Sequence, residues 1–146
     1  MNEVLKAIRT RRTIRRFKPD PVKDETLRTI LDAGRWAPSF SNLQPWRFIV
    51  IEDKELIKYV SDETKAMVKQ MMPPLAKQFA TKEDIVCYSA PVLILICSEK
   101  DLQWENVNLL DSVLAAQNMF LKAHELGLGT CYMGFINFLK NNPDVL

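Results

Sequence analysis

Two stretches of this sequence group side chains suited to binding. In Arg11-Arg12-Thr13-Ile14-Arg15-Arg16-Phe17, cations at 11, 12 and 15 flank a hydroxyl at 13. Guanidinium groups hold phosphate through paired N–H donors, and a Thr hydroxyl or a backbone N–H serves the remaining oxygens. In Pro38–Trp46, Ser39, Ser41, Asn42 and Gln44 gather in a polar loop. Short amide and hydroxyl side chains there can read a polyol or the edge of a heterocycle. Each stretch alone has a plainer reading, the first as a solvated charged face and the second as ordinary turn chemistry.

Other chemistries find little support. Cys87, Cys97 and Cys131 are odd in number, far apart and without C-x-x-C spacing, so buried inert thiols are expected rather than disulfides or a zinc site. The single His, His124, excludes clustered-His metal sites and is assigned to packing or a helix end. No metal is expected, and no side-chain nucleophile or general base stands out.

Charge is uneven along the chain. Residues 1–48 carry 11 Lys/Arg against 5 Asp/Glu, a net +6, while residues 49–146 carry 9 against 13, a net −4. The cluster Arg9–Lys18 invites an anionic partner, either a nucleic acid or a small phosphate-bearing ligand. Strand recognition usually adds aromatic platforms, and only Phe17 adjoins the run, so no nucleic-acid partner is expected. The longest apolar run, Ala90–Cys97, falls far short of the roughly 20 residues needed to span a bilayer. The basic N-terminal stretch lacks the apolar core of a signal peptide. A cytoplasmic chain without a membrane partner is the expectation, and 146 residues suit one domain.

The elements that must position these side chains follow from periodicity. Asn2 can cap a helix over Asn2–Arg9, and Thr10–Pro21 reads as a loop. Asp24 can cap a second helix that Pro38 ends. Trp46–Ile51 is a strand, Lys54–Val60 and Thr64–Met72 are two helices, and helix resumes over Leu75–Phe79. Met67, Met71, Met72 and Met119 either fill core gaps or form a deformable cover over a pocket. Val92–Cys97 suits a strand buried on both faces. Trp104–Leu126 is the longest helix, with Val107, Leu110, Leu114 and Leu121 on one line and Gly127 as its stop; about 20 residues span about 30 Å. Thr130–Met133 reads as a short strand before a last helix around Phe135–Asn141. Mixed helices and strands without strict alternation predict an α+β fold.

In this order the two polar stretches become more specific. The first, followed by Pro21-Val22, and the second, extended to Ala37–Val50, together resemble the signature of the nitroreductase family of flavoproteins. A third segment, Gly127-Leu-Gly-Thr-Cys-Tyr-Met-Gly134, is similar to the family's G-L-G-T-C-W-x-G strand, with Tyr132 where Trp is frequent. Thr13 replaces the commoner Ser and keeps the hydroxyl. The resemblance runs from Leu5 to about Phe138.

The resemblance implies a nitroreductase-like fold with a central, mainly antiparallel sheet flanked by helices and a long central helix at a homodimer interface. It implies bound FMN, two sites per dimer, and NAD(P)H as electron donor to a nitroaromatic, quinone or similar small acceptor. Arg11, Arg12, Thr13 and Arg15 match the residues holding the phosphate, ribityl chain and pyrimidine end. Pro38, Ser39, Ser41 and Asn42 match the loop approaching from the partner subunit, where Gln44 contacts the cofactor or fixes the turn. Tyr132, Met133 and Gly134 match the strand end beside the isoalloxazine, with Met133 and Gly134 backbone near N5. No catalytic side chain is implied, because the hydride chemistry belongs to the cofactor. A flavin-fold branch that degrades flavin, dehalogenates or binds without turnover is the alternative of the same fold, and a nucleic-acid binder using Arg9–Lys18 is the alternative of another class. Family chains also run on past Gly134, so residues 1–146 are expected to be one C-terminally short domain with weaker FMN binding than a full-length relative.

Overall fold

Asn2 opens the first helix by accepting the Leu5 N–H at 2.9 Å, as its short carboxamide predicts. In chain order the elements are α1 (Glu3–Thr10), α2 (Asp24–Arg35), a 3-10 turn at Phe40–Asn42, β1 (Trp46–Ile51), α3 (Lys54–Met71), a 3-10 turn at Pro73–Leu75, α4 (Ala76–Phe79), β2 (Leu93–Ser98), α5 (Glu105–Glu125) and a 3-10 segment at Gly134–Asn141. The computed structural model describes residues 2–81, 83–100 and 103–141, and the chain end on which the expectation of a C-terminally short domain rests lies outside them. The fold is α+β. β1 and β2 pair as a two-stranded sheet, and the Glu99 N–H to Pro45 carbonyl bond of 2.8 Å sets the end of β2 beside the start of β1, an antiparallel register.

The described residues divide into two units, one of residues 2–14, 22–50 and 94–130, the other of residues 15–21, 51–93 and 131–141. In the first unit α2 lies tightly on α5. A Cβ at Gly34 would meet Met119 Cγ and Sδ at 2.9 Å and Phe48 Cζ at 3.0 Å, so any other residue there would force these side chains to shift. Ile30, Met119 and Ala123 form one core patch against Phe48, Ile94 and Ile96, and Ala37, Trp46 and Ala115 form another. α5 ends where Gly127 turns to φ 76°. The Leu128 N–H reaches the Ala123 carbonyl at 2.8 Å and the Gly127 N–H the His124 carbonyl at 3.0 Å, a Schellman cap that satisfies the last carbonyls.

The burial of α5 differs from its apolar line. Its buried residues are Asn108, Asp111, Ser112, Ala115, Ala116, Met119 and Ala123, while Leu110 is 64% exposed and Leu114 46%. The inner face is thus built of Ser and Ala with Met119 and two hydrogen-bonded polar side chains, Asn108 and Asp111, and the leucines stand outward in the single chain. β2 departs in the same way: only Leu93 is buried, and Cys97 is exposed rather than a buried thiol.

In the second unit α3 is one helix where two were expected. Asp53 caps it through the Leu56 N–H at 2.9 Å. Asp62 pairs with Lys58 and, at 3.6 Å, with Lys65, while Thr64 Oγ1 donates to the Val60 carbonyl at 2.7 Å, so the middle is bridged rather than broken. Phe79 packs edge-on against Phe135 at 5.0 Å, and Phe135 stacks on Phe138 at 6.4 Å.

Two further expectations change. Asp24 is the first residue of α2 and not its cap, which is Lys23 without a side-chain bond; Asp24 and Glu25 act through their charge at the helix N-terminus. Thr130–Met133 forms no continuous strand: Thr130 makes a single parallel rung with Thr13, closed by the Ile14 N–H to Thr130 carbonyl bond of 2.9 Å. The last helix, expected around Phe135–Asn141, is present as a 3-10 helix over Gly134–Asn141, one residue longer at its start.

Candidate functional site

The first unit holds two of the polar segments. Arg11 lies over the Phe120 ring at 6.0 Å, a cation–π contact with α5. Arg12 folds back so that Nη1 donates to the carbonyls of Arg9 at 2.6 Å and Arg11 at 2.8 Å. Thr13, exposed, is held by its rung with Thr130. His124 is 2.8 Å from Thr10 Oγ1, the helix-end role expected of it.

The loop Pro38–Gln44 is held by a buried carboxylate. Asp111 of α5, nearly inaccessible, accepts the Phe40 N–H at 3.0 Å, and Phe40 packs on Trp104 at 5.0 Å. Ser39 Oγ accepts the Gln44 N–H at 3.0 Å, and Asn42 Oδ1 accepts from Gln44 Nε2 at 3.3 Å. Ser41, Asn42 and Gln44 sit at φ 46°, 56° and 50°, in the left-handed region that costs a non-glycine residue on the order of 1–3 kcal/mol. Apart from Ser39, which is half-buried, the polar side chains of this loop are exposed. Turn chemistry accounts for the internal bonds, and it does not require three strained positions within four residues.

The second unit brings the remaining residues together. Arg15, Tyr132, Met133 and Gly134 line one open cavity of about 340 Å³, within the range of small-ligand sites. The segments carrying them are far apart in sequence, so their convergence was not readable from spacing. Met72, Ile85, Tyr88, Cys131, Phe135 and Phe138 complete the wall. Met72 thus lines the cavity, while Met119 is core of the first unit. Tyr132 is 66% exposed, and Gly134 has only Tyr132 Cε1, at 3.7 Å, near where a Cβ would stand.

Arg15 is the charge in this cavity. Its guanidinium lies 5.9 Å from the Tyr88 ring centre and beside Cys131. Burial pushes the Cys131 thiol up, and the Arg15 charge pulls against it. Tyr88 itself sits at φ 54° and Ser89 at 52°. The turn is held by Asp84, whose Oδ1 accepts Ser61 Oγ at 2.5 Å, Val86 N–H at 3.1 Å and Cys87 N–H at 2.8 Å, while Oδ2 accepts Ser89 N–H at 2.8 Å. Partial burial works against the Asp84 charge, yet the Ser61 hydroxyl and the three amides outweigh it and hold its carboxyl below the usual range. Burial, aided by that charge, drives the Cys87 thiol up to about 12, so Cys87 is the inert buried thiol anticipated. Sequence reasoning missed Tyr88 and Asp84. The available signal was an Asp with turn-forming neighbours shortly before Ala90-Pro91.

Among the described residues no group of three or more His, Cys, Asp or Glu could hold a metal ion, and no helix is long and apolar enough to cross a membrane.

Comparison with known proteins gives the arrangement its context. The family model described as the Nitroreductase family matches residues 8–144. A relative from Methanothermobacter thermautotrophicus, named for NADH dehydrogenase and NAD(P)H nitroreductase, is 33% identical over 139 residues, covering 90% of this chain and 61% of the relative. The FMN reductase [NAD(P)H] of Bacillus subtilis is 30% identical over 165 residues, covering 100% of this chain and 58% of the relative. This chain therefore spans about three fifths of the length of these curated relatives. A crystal structure of a nitroreductase with bound FMN from Bacteroides fragilis superposes with a TM-score of 0.88 at 27% identity, covering 99% of this chain and 76% of that one.

Proposed function

We propose, on the premise that this chain belongs to the nitroreductase family, that it is an FMN-dependent oxidoreductase passing electrons from NAD(P)H to a nitroaromatic, a quinone or a similar electron-poor acceptor. The observation that carries the reading is the cavity of the second unit, where Arg15 meets Tyr132–Gly134. Its lining is aromatic and aliphatic with one guanidinium, which suits a flat heterocycle whose pyrimidine edge gathers negative charge on reduction. When bound, FMN supplies the hydride and electron transfer.

The chain's own residues bind and orient. Arg15 stabilises anionic charge, Tyr132 offers a ring face, and Met133 and Gly134 hold the redox-active edge. Arg11, Arg12 and Thr13 hold phosphate and ribityl oxygens; Arg12 can do so only by keeping or exchanging its bonds to the Arg9 and Arg11 carbonyls. Pro38, Ser39, Ser41, Asn42 and Gln44 complete a cofactor site contributed by the partner in a homodimer. The outward apolar face of α5, with Leu109, Leu110, Val113 and Leu114, supports that homodimer, since a second copy would cover it. The same reading carries a cytoplasmic location with it.

Purified protein is expected to be yellow, or to take up FMN from solution, and to bleach with NADH or NADPH under anaerobic conditions. Protein that stays colourless in excess FMN overturns the proposal. An acceptor panel run on bleached protein then separates nitroaromatics from quinones.

A further inference from the structure

We infer that Asp84 is a positioning residue for ligand binding in the second unit's cavity, acting through Tyr88 on Arg15. The inference rests on the FMN reading for the identity of its probe and on geometry for the rest. Asp84 does not line the cavity itself: Ser61 Oγ from α3 and the amides of Val86, Cys87 and Ser89, on either side of Tyr88, converge on its two oxygens.

That convergence has a specific consequence. Ser61 is 1% exposed and sits in the middle of α3, so the carboxylate is fastened to a rigid element. The turn fastened to it holds Tyr88 and Ser89 in left-handed backbone, which neither side chain favours by itself. The Ala90 N–H closes the turn on the Cys87 carbonyl at 3.0 Å. With the backbone so placed, the Tyr88 ring faces the Arg15 guanidinium at 5.9 Å, and both line the cavity with Tyr132 and Met133. A long Arg side chain has many rotamers, and a ring beside its guanidinium favours those that keep the charge against it. Asp84 thereby sets where the cavity's positive charge stands before any ligand arrives. A carboxylate is required because one oxygen must serve three donors while the other serves Ser89, a load that an amide with a single carbonyl oxygen cannot carry.

The test uses the full chain and two readouts. One is the dissociation constant for FMN, by quenching of flavin fluorescence. The other is the ring-current displacement of the Arg15 side-chain resonances by NMR without flavin, which a general loss of stability in a still-folded protein does not mimic. Asp84→Asn is expected to lose the displacement and weaken FMN binding about tenfold. Adding Ser89→Gly, which accepts left-handed backbone without a carboxylate, is expected to recover part of both. Should Asp84→Asn fail to fold, Tyr88→Leu decides, because it leaves the Asp84 bonds in place and is expected to weaken FMN binding by a similar factor. An unchanged Arg15 displacement in folded Asp84→Asn overturns the inference, as does an unchanged FMN constant in Tyr88→Leu. A wild-type chain that takes up no FMN yet loses the displacement in Asp84→Asn overturns the function proposed above and supports the positioning of Arg15 by Asp84.

Discussion

The loop at residues 39–44 and the turn at residues 84–89 both hold non-glycine residues in left-handed backbone, and in each a carboxylate anchors the neighbourhood. They differ in how the anchor is used. Asp111, on α5, gives the first loop one bond, to the Phe40 N–H, and the loop supplies the rest from Ser39 and Asn42. Asp84 lies within the second turn, gathers three of its amides, and is tied outward to Ser61. The first loop is thus anchored at one end and leaves most of its polar side chains exposed for a ligand or partner. The second is fastened through three of its amides and shapes a wall. Strained backbone therefore has two uses here, presentation in one region and rigid placement in the other.

The sharpest way to break this comparison is to remove the two carboxylates. Asp84→Ala loses four hydrogen bonds and is expected to cost about 3 kcal/mol of stability, against about 1.5 kcal/mol for Asp111→Ala, both by denaturant titration. Equal costs would mean that the two anchors are equivalent. A smaller effect comes from Ser41→Gly at φ 46°, which relieves strain and is expected to stabilise by less than about 1 kcal/mol. A loss of stability there would show that the Ser41 side chain holds the loop as firmly as Asp84 holds its turn.

The finest test is pH. Because the folded-state pKa of Asp84 is lowered from 3.8, its contribution is fully present above that value and is lost as pH falls through the lower folded value. Acid titration should therefore show wild type losing stability below about pH 4, with a shallower loss in Asp84→Asn. Identical acid limbs would remove the charged anchor from the comparison.

The two regions were also unequally legible. Residues 39–44 lie inside a motif, and their Ser, Asn and Gln announce a polar loop before Pro45. Asp84 and Tyr88 lie in a stretch with no such pattern, and the cavity depends on Arg15 meeting Tyr132 across most of the chain. The long helix shows the same limit. Its ends were readable from Trp104 and Gly127, yet the apolar line through Leu110 and Leu114 does not say which face is buried, and these leucines stand outward.

What the sequence determined by itself is whatever a few consecutive residues can decide among themselves. The Asn2 cap, the bounds of Trp46–Ile51, the Gly127 stop and the family motifs belong here, because each rests on hydrogen bonds or dihedral preferences within one or two turns of chain. Tertiary structure alone decided which face of α5 is buried, that Cys97 is exposed, and that Tyr88 stands against Arg15. Those outcomes depend on which distant side chains compete for the same space, and close packing admits one answer that local preference cannot rank.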